Sequence, residues 1–340
     1  MSAEAPAPWA SLADQLRADS PIAVLEQLER QLKEELTREL AAPPDGPRIR
    51  ALASFQKDLG FLLKYKSYAV KAASPLGYSV FLQRPGEGFS FQQHLTHKTE
   101  IFLILEVPPG GYVFLCEFDE WRQAYRRDRF LAWLNGAADA QYERFRFVPQ
   151  PGDVVVIDRL NVVHSVVGCT LAEFATVSTD MVDRLHDQNQ ARVVPPEFTR
   201  AFSEDRLRRL VWPDASNRVT SGASGWERAP IVPEAVSGGW RTTFGGGDRF
   251  AAASFRYERG AESDIATDAR RATSIHIAAG SGRLVLGTQD EVRRPSPPAL
   301  AACAGDLFLI PPGAHYRFVN EGPTPFIVAQ HRIESAVAFV

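Results

Sequence analysis

The sequence predicts a mainly β protein with two β-barrel domains of the jelly-roll kind and a helical segment at the N-terminus. Short β-rich segments separated by turns run from about residue 67 to residue 178, which is the strand density of a barrel or sandwich. The same pattern returns from residue 233. Within it, GDLFLIPPGAHYRFVN (305–320) restates GDVVVIDRLNVVHSV (152–166), so an internal repeat of two related barrels is the simplest interpretation.

Composition supports two domains and limits the classes of partner. The hydrophobic content of 45% is enough for a large core, and a chain of 340 residues is too long for one compact barrel. A formal net charge of −3 does not suit a nucleic acid or an anionic membrane as partner, so a small-molecule substrate is expected. Three widely spaced cysteines fit reduced thiols. Because neither a signal peptide nor a membrane-spanning segment is recognisable, we expect a cytoplasmic protein.

Residues 1–66 are predicted to form a helical segment. Ser20 and Pro21 suit an N-cap and first turn, and the PPDG stretch at 43–46 separates a first helix from a second one that runs from Arg48 to Leu63. Apolar residues of the first helix recur at three- and four-residue spacing: Ile22, Leu25, Leu28, Leu32, Leu36 and Leu40. This stripe suits packing against a barrel and equally a homodimer seam, and both interpretations remain open.

Residues 67–190 are predicted to form the first barrel. Its predicted strands are Tyr78 to Leu82, Ile101 to Leu105, Tyr112 to Phe118, Phe145 to Phe147, Val154 to Ile157, Val162 to Val167 and Glu173 to Val177. The stretch 119–136 interrupts them with the pattern of one inserted helix, which would end at Gly136.

Residues 191–232 lack a β pattern and are predicted to be a linker with one helix from Pro196 to Leu210. The second barrel is predicted over 233–340. Its clearest strands are Arg249 to Tyr257, Ser274 to Ala278, Arg283 to Gly287, Asp306 to Ile310 and Phe326 to Ala329.

The candidate metal ligands lie beside two strands of the first barrel. Gln92, His94, His97 and Glu100 fall within nine residues before an apolar run, and His164 follows on another strand. Imidazole and carboxylate are ligands for a divalent metal, and Zn²⁺ and Fe(II) both suit this set. Strand alternation would turn His97 away from Glu100, and the amide of Gln92 could bind substrate instead, so both assignments stay open. A metal-free polar cluster is the alternative.

Several blocks of the first β region occur in the order and spacing of a known family. They are Phe91-Gln92-Gln93-His94, Lys98-Thr99-Glu100, Pro109-Gly110, Leu134-Asn135, Gly152-Asp153, His164, Ala172-Glu173 and Thr179-Asp180 through Arg184-Leu185 to Asp187. With these blocks, residues 85–190 resemble the cupin superfamily and, within it, the class I phosphomannose isomerases. The resemblance implies a bicupin whose second barrel holds no metal.

The resemblance also implies chemistry for particular residues. It implies one zinc ion per chain held by Gln92, His94, Glu100 and His164, with Arg184, Glu173 and Lys98 in the active site of an aldose–ketose isomerase that works through an enediolate. The loop before Glu100 is shorter than in that family, so we expect a sugar, sugar phosphate or similar polar substrate other than mannose 6-phosphate.

Two further functions stay open. A cluster of His94, His97, Glu100 and His164 would equally suit an Fe(II)-dependent oxygenase of specialised metabolism. A non-catalytic sugar-binding bicupin would need no metal. In the second barrel His315 is retained, but Thr273 stands where a ligand glutamate would be, so no metal is expected there.

Overall fold

The computed structural model describes residues 22–59, 62–66, 69–73, 76–95, 98–158, 161–176, 181–185, 209–222, 225–247 and 249–334, together with Gln15 and Arg206. Within these ranges the chain forms two barrels, each built from two facing sheets, and a pair of helices near the N-terminus. The prediction of a mainly β fold with two barrels and a helical segment near the N-terminus is therefore confirmed. None of the helices in these ranges is long and apolar enough to span a membrane.

Helices α1 (Ile22–Ala41) and α2 (Gly46–Leu59) lie against the second barrel. The leucine stripe of α1 is buried at Leu32 and Leu36, which form one apolar cluster with Leu52 of α2 and Leu309 of the second barrel. Helix α2 ends at Leu59, before the predicted end at Leu63, because a strand begins at Leu62. The stripe thus packs within the chain, as one of the two interpretations predicted.

The first barrel has two sheets of unequal size. Its strands are β1 (Leu62–Lys66), β2 (Ala69–Ala73), β3 (Tyr78–Gln83), β4 (Phe91–His94), β5 (Glu100–Glu106), β6 (Tyr112–Glu117), β7 (Arg146–Phe147), β8 (Asp153–Ile157), β9 (Val162–Val167), β10 (Thr170–Ala175) and β11 (Met181–Leu185), with β12 (Ser216–Gly222) and β13 (Gly225–Ile231) added later in the chain. One sheet has the order β1-β2-β3-β10-β5-β8-β12-β13 and the other has the order β11-β4-β9-β6-β7. The interior between them is apolar, with Phe102, Val155 and Val166 fully or almost fully buried.

The predicted helical insert consists of separate short helices: α3 (Phe118–Ala124), α4 (Arg127–Leu134) and α5 (Ala140–Glu143). The single helix predicted over 119–136 is therefore wrong, because Tyr125 adopts an extended backbone with ψ of 119°. The hydroxyl of Tyr142 bridges the break, since it accepts from the amide of Arg126 at 3.1 Å and donates to the carbonyl of Ala124 at 3.0 Å. Gly136 follows α4 with a φ of 97°, a left-handed conformation suited to glycine.

Part of the predicted linker belongs to the first barrel. Strands β12 and β13 extend its larger sheet, with β12 parallel to β8. Val219 of β12 is fully buried in the barrel interior, and Arg228 of β13 forms an ion pair with the buried Asp153 at 2.7 Å. The linker prediction is wrong for residues 216–231, because the burial of Val219 and this ion pair are long-range contacts that local pattern does not reveal. Nearly all of the predicted helix from Pro196 to Leu210 lies outside the described residues.

The second barrel repeats the central strand order of the first. It contains β14 (Glu234–Val236), β15 (Gly239–Gly247), β16 (Phe250–Tyr257), β17 (Ala266–Thr267), β18 (Arg271–Ala279), β19 (Ser281–Gly287), β20 (Ala299–Cys303), β21 (Leu307–Ile310), β22 (His315–Val319) and β23 (Phe326–Glu334), with α6 (Gln289–Val292) after β19. The sheet order β16-β23-β18-β21 matches β3-β10-β5-β8, and β17-β22-β19-β20 matches β4-β9-β6-β7. The predicted internal repeat is thus present in the topology.

A shared apolar layer joins the two barrels. Ile101 and Phe174 on the outer face of the first barrel pack in one cluster with Phe244 and Phe250 of the second. Each of these side chains is at most 3% exposed. The larger sheet of the first barrel is therefore covered on its inner face by its own core and on its outer face by the second barrel.

Candidate metal centre

Three strands bring the candidate ligands together inside the first barrel. His94 ends β4 and His164 lies in β9, which are neighbours in the smaller sheet, while Glu100 begins β5 in the larger sheet. Gln92 pairs with His164 across β4 and β9. Because side chains alternate along a strand, Gln92 and His94 point into the barrel and Gln93 points out. The cluster therefore connects the two sheets across the interior.

The ligand atoms of this cluster converge on one carboxylate oxygen. Oε2 of Glu100 lies 2.8 Å from Nε2 of His94 and 3.1 Å from Nε2 of His164. The side-chain amide nitrogen of Gln92 lies 3.0 Å from Nε2 of His164, so the nitrogen of this amide, and not its oxygen, contacts the ring. His94, Glu100 and His164 are buried, and their ligand atoms all lie within 4.8 Å of one another. The structure thus brings together four of the five metal ligands predicted from the sequence.

The hydrogen-bonding of His164 fits a metal ligand. Its Nδ1 lies 3.3 Å from the carbonyl oxygen of Val162, so an Nδ1–H donor there leaves a lone pair on Nε2. Burial lowers the pKa of His164, which keeps the ring neutral. In that tautomer the Nε2 lone pair of His164 and the carboxylate oxygens of Glu100 are both donor atoms that a divalent metal ion can bind. The residues present therefore fit a divalent metal ion.

Lys98 and Glu173 place further charge beside the cluster. Lys98 forms an ion pair with Oε1 of Glu100, the carboxylate oxygen that the histidines do not contact. Burial alone would raise the pKa of Glu100, but the charge of Lys98, followed by the contacts with His164 and His94, holds it well below its ordinary value. Burial alone would lower the pKa of Lys98, but Glu100 and then Glu173 raise it. At neutral pH the interior thus holds an ionised carboxylate and an ammonium group.

Glu173 projects into the same interior from β10. It pairs with Phe102 of β5, two residues along from Glu100, and it is 7% exposed. Because residues two apart on a strand share a face, Glu173 lies on the side of the sheet that carries Glu100. Two of the three predicted catalytic residues, Lys98 and Glu173, are therefore near the candidate ligands.

Arg184 is not beside the cluster. Its Nε donates to Oε1 of Gln93 at 2.8 Å, and its guanidinium carbon lies 4.4 Å from the ring centre of Phe118. Gln93 is on the outward face of β4, opposite His94, because of strand alternation. The contacts of Arg184 therefore do not support the catalytic role predicted for it. His97, the fifth predicted metal ligand, lies outside the described residues.

The second barrel has no equivalent cluster among the residues that the structure describes. Glu100 pairs with Ile157 of β8, and Thr273 pairs with Ile310 of β21, so Thr273 occupies the position of Glu100 as predicted. On β22 the inward residues are Tyr316 and Phe318, which lie in the apolar interior. His315 therefore faces away from the barrel interior. The retained His315 is therefore not the structural equivalent of His164, which faces the interior of the first barrel.

Comparison with known proteins gives likeness of fold. No protein-family model matches the sequence, and no curated protein does. Oxalate decarboxylase from Bacillus subtilis is 12% identical over 81% of this chain and 74% of its own, with a TM-score of 0.47. Mannose 6-phosphate isomerase from Bacillus subtilis is 15% identical over 74% of each chain, with a TM-score of 0.43. Vicilin from Corylus avellana (hazelnut) is 10% identical over 82% of this chain and 85% of its own, with a TM-score of 0.44. The function must therefore be argued from the residues of this chain.

Proposed function

We propose that this chain is a metal-dependent enzyme that moves a proton between adjacent oxygen-bearing carbons of a polar small molecule, as in aldose–ketose isomerisation. The observation that carries the proposal is the buried convergence of His94, His164 and Glu100 beside the Lys98 ammonium and the Glu173 carboxylate. A purely structural polar cluster would not need two further charged groups in the same interior. Burying charge is costly unless it is paired, so such groups point to a functional role.

The proposed chemistry assigns a role to each group. A divalent cation held by His94, Glu100 and His164, with the Gln92 amide oxygen as the fourth candidate ligand, would supply Lewis acidity to the substrate oxygens. Glu173 would take the proton from one carbon and return it to its neighbour, so the reaction needs no oxidant or reductant. Lys98 would stabilise negative charge on the substrate oxygen through the intervening enediolate.

A second candidate function is an Fe(II)-dependent oxygenase. The observation that favours it is the donor set itself, because two imidazoles and one carboxylate are the ligands of many non-haem iron oxygenases. Glu173 and Lys98 have no evident task in that chemistry, so we place it second. The metal that the protein carries separates the two functions.

The test combines metal content with isotope exchange. Protein purified under argon without added metal or chelator is analysed for Zn, Fe, Mn and Ni, and about one equivalent per chain is expected. The protein is then incubated with aldoses, ketoses and their phosphates in D₂O, and NMR detects deuterium at the carbon next to the carbonyl. We expect exchange in the wild-type protein, its loss in Glu173→Gln and its retention in His315→Ala.

Three outcomes would count against the proposal. Iron together with oxygen consumption would favour the oxygenase. A protein with no metal that still binds sugars would be a non-catalytic bicupin. Exchange that is undiminished in Glu173→Gln would remove that residue from the proton transfer.

A further inference from the structure

The second barrel contains a cavity of about 190 Å³ lined by residues of β15, β16, β22 and β23. Its walls include Phe255, Tyr257, Tyr316, Phe318, Gln330 and Arg332. Tyr257, Tyr316 and Gln330 are at most 4% exposed, so their polar atoms are directed into the protein and not into bulk solvent. A cavity with buried polar walls and one arginine is a place where a small ligand could bind.

The strand repeat shows what has replaced the metal cluster. Glu100 pairs with Ala175 in the first barrel, and Thr273 at the equivalent position pairs with Arg332. Gln330 pairs with Ile275 as Glu173 pairs with Phe102. A guanidinium group therefore lies in the second barrel where the first barrel has alanine. Thr273 thus replaces the anionic ligand Glu100, Gln330 replaces Glu173, and Arg332 adds a cation.

The hydrogen bonds of Arg332 leave part of its guanidinium group unsatisfied. Its Nη2 donates to the hydroxyl of Tyr316 at 3.1 Å and to Oε1 of Gln330 at 3.2 Å. Its Nε is buried and has no hydrogen-bond partner. Within the described ranges no carboxylate lies within the 4.0 Å of an ion pair with Arg332. An arginine has five N–H donors, and a buried N–H without an acceptor is unfavourable, so an anion that accepts from Nε would complete the site.

The charges at the cavity favour an anion. Arg241 and Asp264 also line it, but Arg241 forms an ion pair with Glu234, and Asp264 is exposed to solvent. The guanidinium of Arg332 is therefore the one charge among the described lining residues that is both inward and without an opposite charge. Arg332 is partly buried, so salt would screen this electrostatic attraction in part.

The size and walls of the cavity limit the ligand. A volume of about 190 Å³ corresponds to roughly six water molecules at ~30 Å³ each, which suits a ligand of few non-hydrogen atoms. Phe255 and Phe318 provide aromatic walls beside the arginine. A planar carboxylate can accept two parallel hydrogen bonds from a guanidinium, while a short apolar body would contact the aromatic rings.

We propose that the second barrel binds a small monocarboxylate, with Arg332 as its anchor and Tyr316 and Gln330 holding the guanidinium in place. This site is separate from the candidate metal centre, and the proposal does not depend on the reaction proposed there. The second barrel would thus be a ligand-binding domain and not only a scaffold for the helices α1 and α2.

Isothermal titration calorimetry with acetate, propionate and benzoate tests this site at low ionic strength, with inorganic phosphate as a comparison. Arg332→Gln should weaken carboxylate binding about tenfold or more, because a charged hydrogen-bonding partner is lost. Arg332→Lys should retain part of the affinity, since it keeps the charge but loses the planar pair of donors. Tyr316→Phe removes one hydroxyl and should cause a smaller loss.

Two control variants establish whether the carboxylate binds in this cavity. Arg317→Gln removes a neighbouring arginine of β22 that forms an ion pair with Glu262 at the surface, and it should leave the affinity unchanged. His94→Ala disables the candidate metal centre and should also leave carboxylate binding intact. The proposal is overturned if no carboxylate binds the wild-type protein, if Arg332→Gln binds equally well, or if His94→Ala abolishes binding. Tighter binding of phosphate than of every carboxylate would overturn the assigned ligand class.

Discussion

The hydroxyl of Tyr78 lies 2.8 Å from Nδ1 of His276 and joins β3 of the first barrel to β18 of the second. Both side chains are at most 1% exposed, and so is that of His331 on the neighbouring strand β23. Burial lowers the pKa of His276 to about 3, and burial also lowers the pKa of His331 to about 3 despite an opposing backbone hydrogen bond. The layer between the barrels therefore contains two imidazoles that stay neutral at physiological pH.

These histidines should make the fold sensitive to acid. In the unfolded chain a histidine has a pKa of about 6.5, so between about pH 6.5 and 3 the unfolded state binds protons that the folded state does not. The free energy of unfolding therefore falls as the pH falls through this window, by up to about 1.4 kcal/mol per pH unit for each histidine. Urea unfolding between pH 7 and 4 measures this dependence. His276→Gln should reduce its slope, and equal slopes in wild type and His276→Gln would contradict the assignment.

Metal binding should depend on the inward face of β4 and β9. His94→Ala and His164→Ala each remove a converging nitrogen, so each should lower metal occupancy at least about tenfold without changing the circular dichroism of the barrel. Gln92→Ala should have a smaller effect, because an amide oxygen is a weaker ligand for zinc. Elemental analysis after dialysis gives the occupancy.

The matched control is Arg184→Ala. Arg184 contacts Gln93 and Phe118 on the outward face of the same strand, so its removal should leave the metal content unchanged. Loss of metal in Arg184→Ala, or full occupancy in His164→Ala, would show that the inward cluster is not the site.

Lys98 should oppose metal binding while supporting turnover. Its ammonium already neutralises Glu100, and it would repel a divalent cation held by the same carboxylate. Lys98→Met should therefore tighten metal binding by about tenfold and abolish the isotope exchange expected of the wild-type enzyme. Competition with a fluorescent chelator gives the affinity, and Lys98→Arg should leave it close to the wild-type value. If Lys98→Met binds metal more weakly, then Lys98 serves to position Glu100 and does not compete with the metal.

Local pattern was sufficient to predict most of the strands and the repeat. The run Val162 to Val167 forms β9 with the predicted bounds, and the two Gly-Asp motifs begin equivalent strands. Residues 216–231 escaped prediction because their strands are stabilised by contacts with β8, more than sixty residues earlier in the chain. The order of polar and apolar residues within such a segment does not show which strand of the sheet it will pair with.

The site could be predicted where a residue of a metal-binding type also lay at an inward-facing position of a strand. His94, Glu100 and His164 come together because each occupies a strand position whose side chain faces the interior of the barrel. Arg184 was predicted from a motif, but the register of β11 against β4 places it beside Gln93, and that register depends on a bulge between Asp183 and Leu185. Arg332 was not predicted at all, because a lone arginine in a strand has no distinctive local pattern. Its equivalence to Ala175 could be found only after the two barrels were aligned by their strand pairing.

The contact between Gly245 and Ile101 should set how closely the two barrels pack. A Cβ added at Gly245 would lie 2.7 Å from Cδ1 of Ile101, which is fully buried, whereas a Cβ at Gly247 would meet nothing within 4 Å. Gly245→Ala should therefore lower the free energy of unfolding by about 1–3 kcal/mol, the usual cost of overpacking. Gly247→Ala is the matched control and should be neutral or slightly stabilising, because alanine restricts the unfolded chain.

Ile101→Val removes the methyl group that the new Cβ would meet, so it provides a direct check of this contact. In the Ile101→Val background, Gly245→Ala should cost much less than in the wild-type background, giving a favourable coupling of about 1 kcal/mol in a double-mutant cycle. Chemical denaturation of the four proteins measures the coupling. Additive effects would mean that Gly245 is required for its backbone conformation and not for the close approach of the two barrels at Ile101.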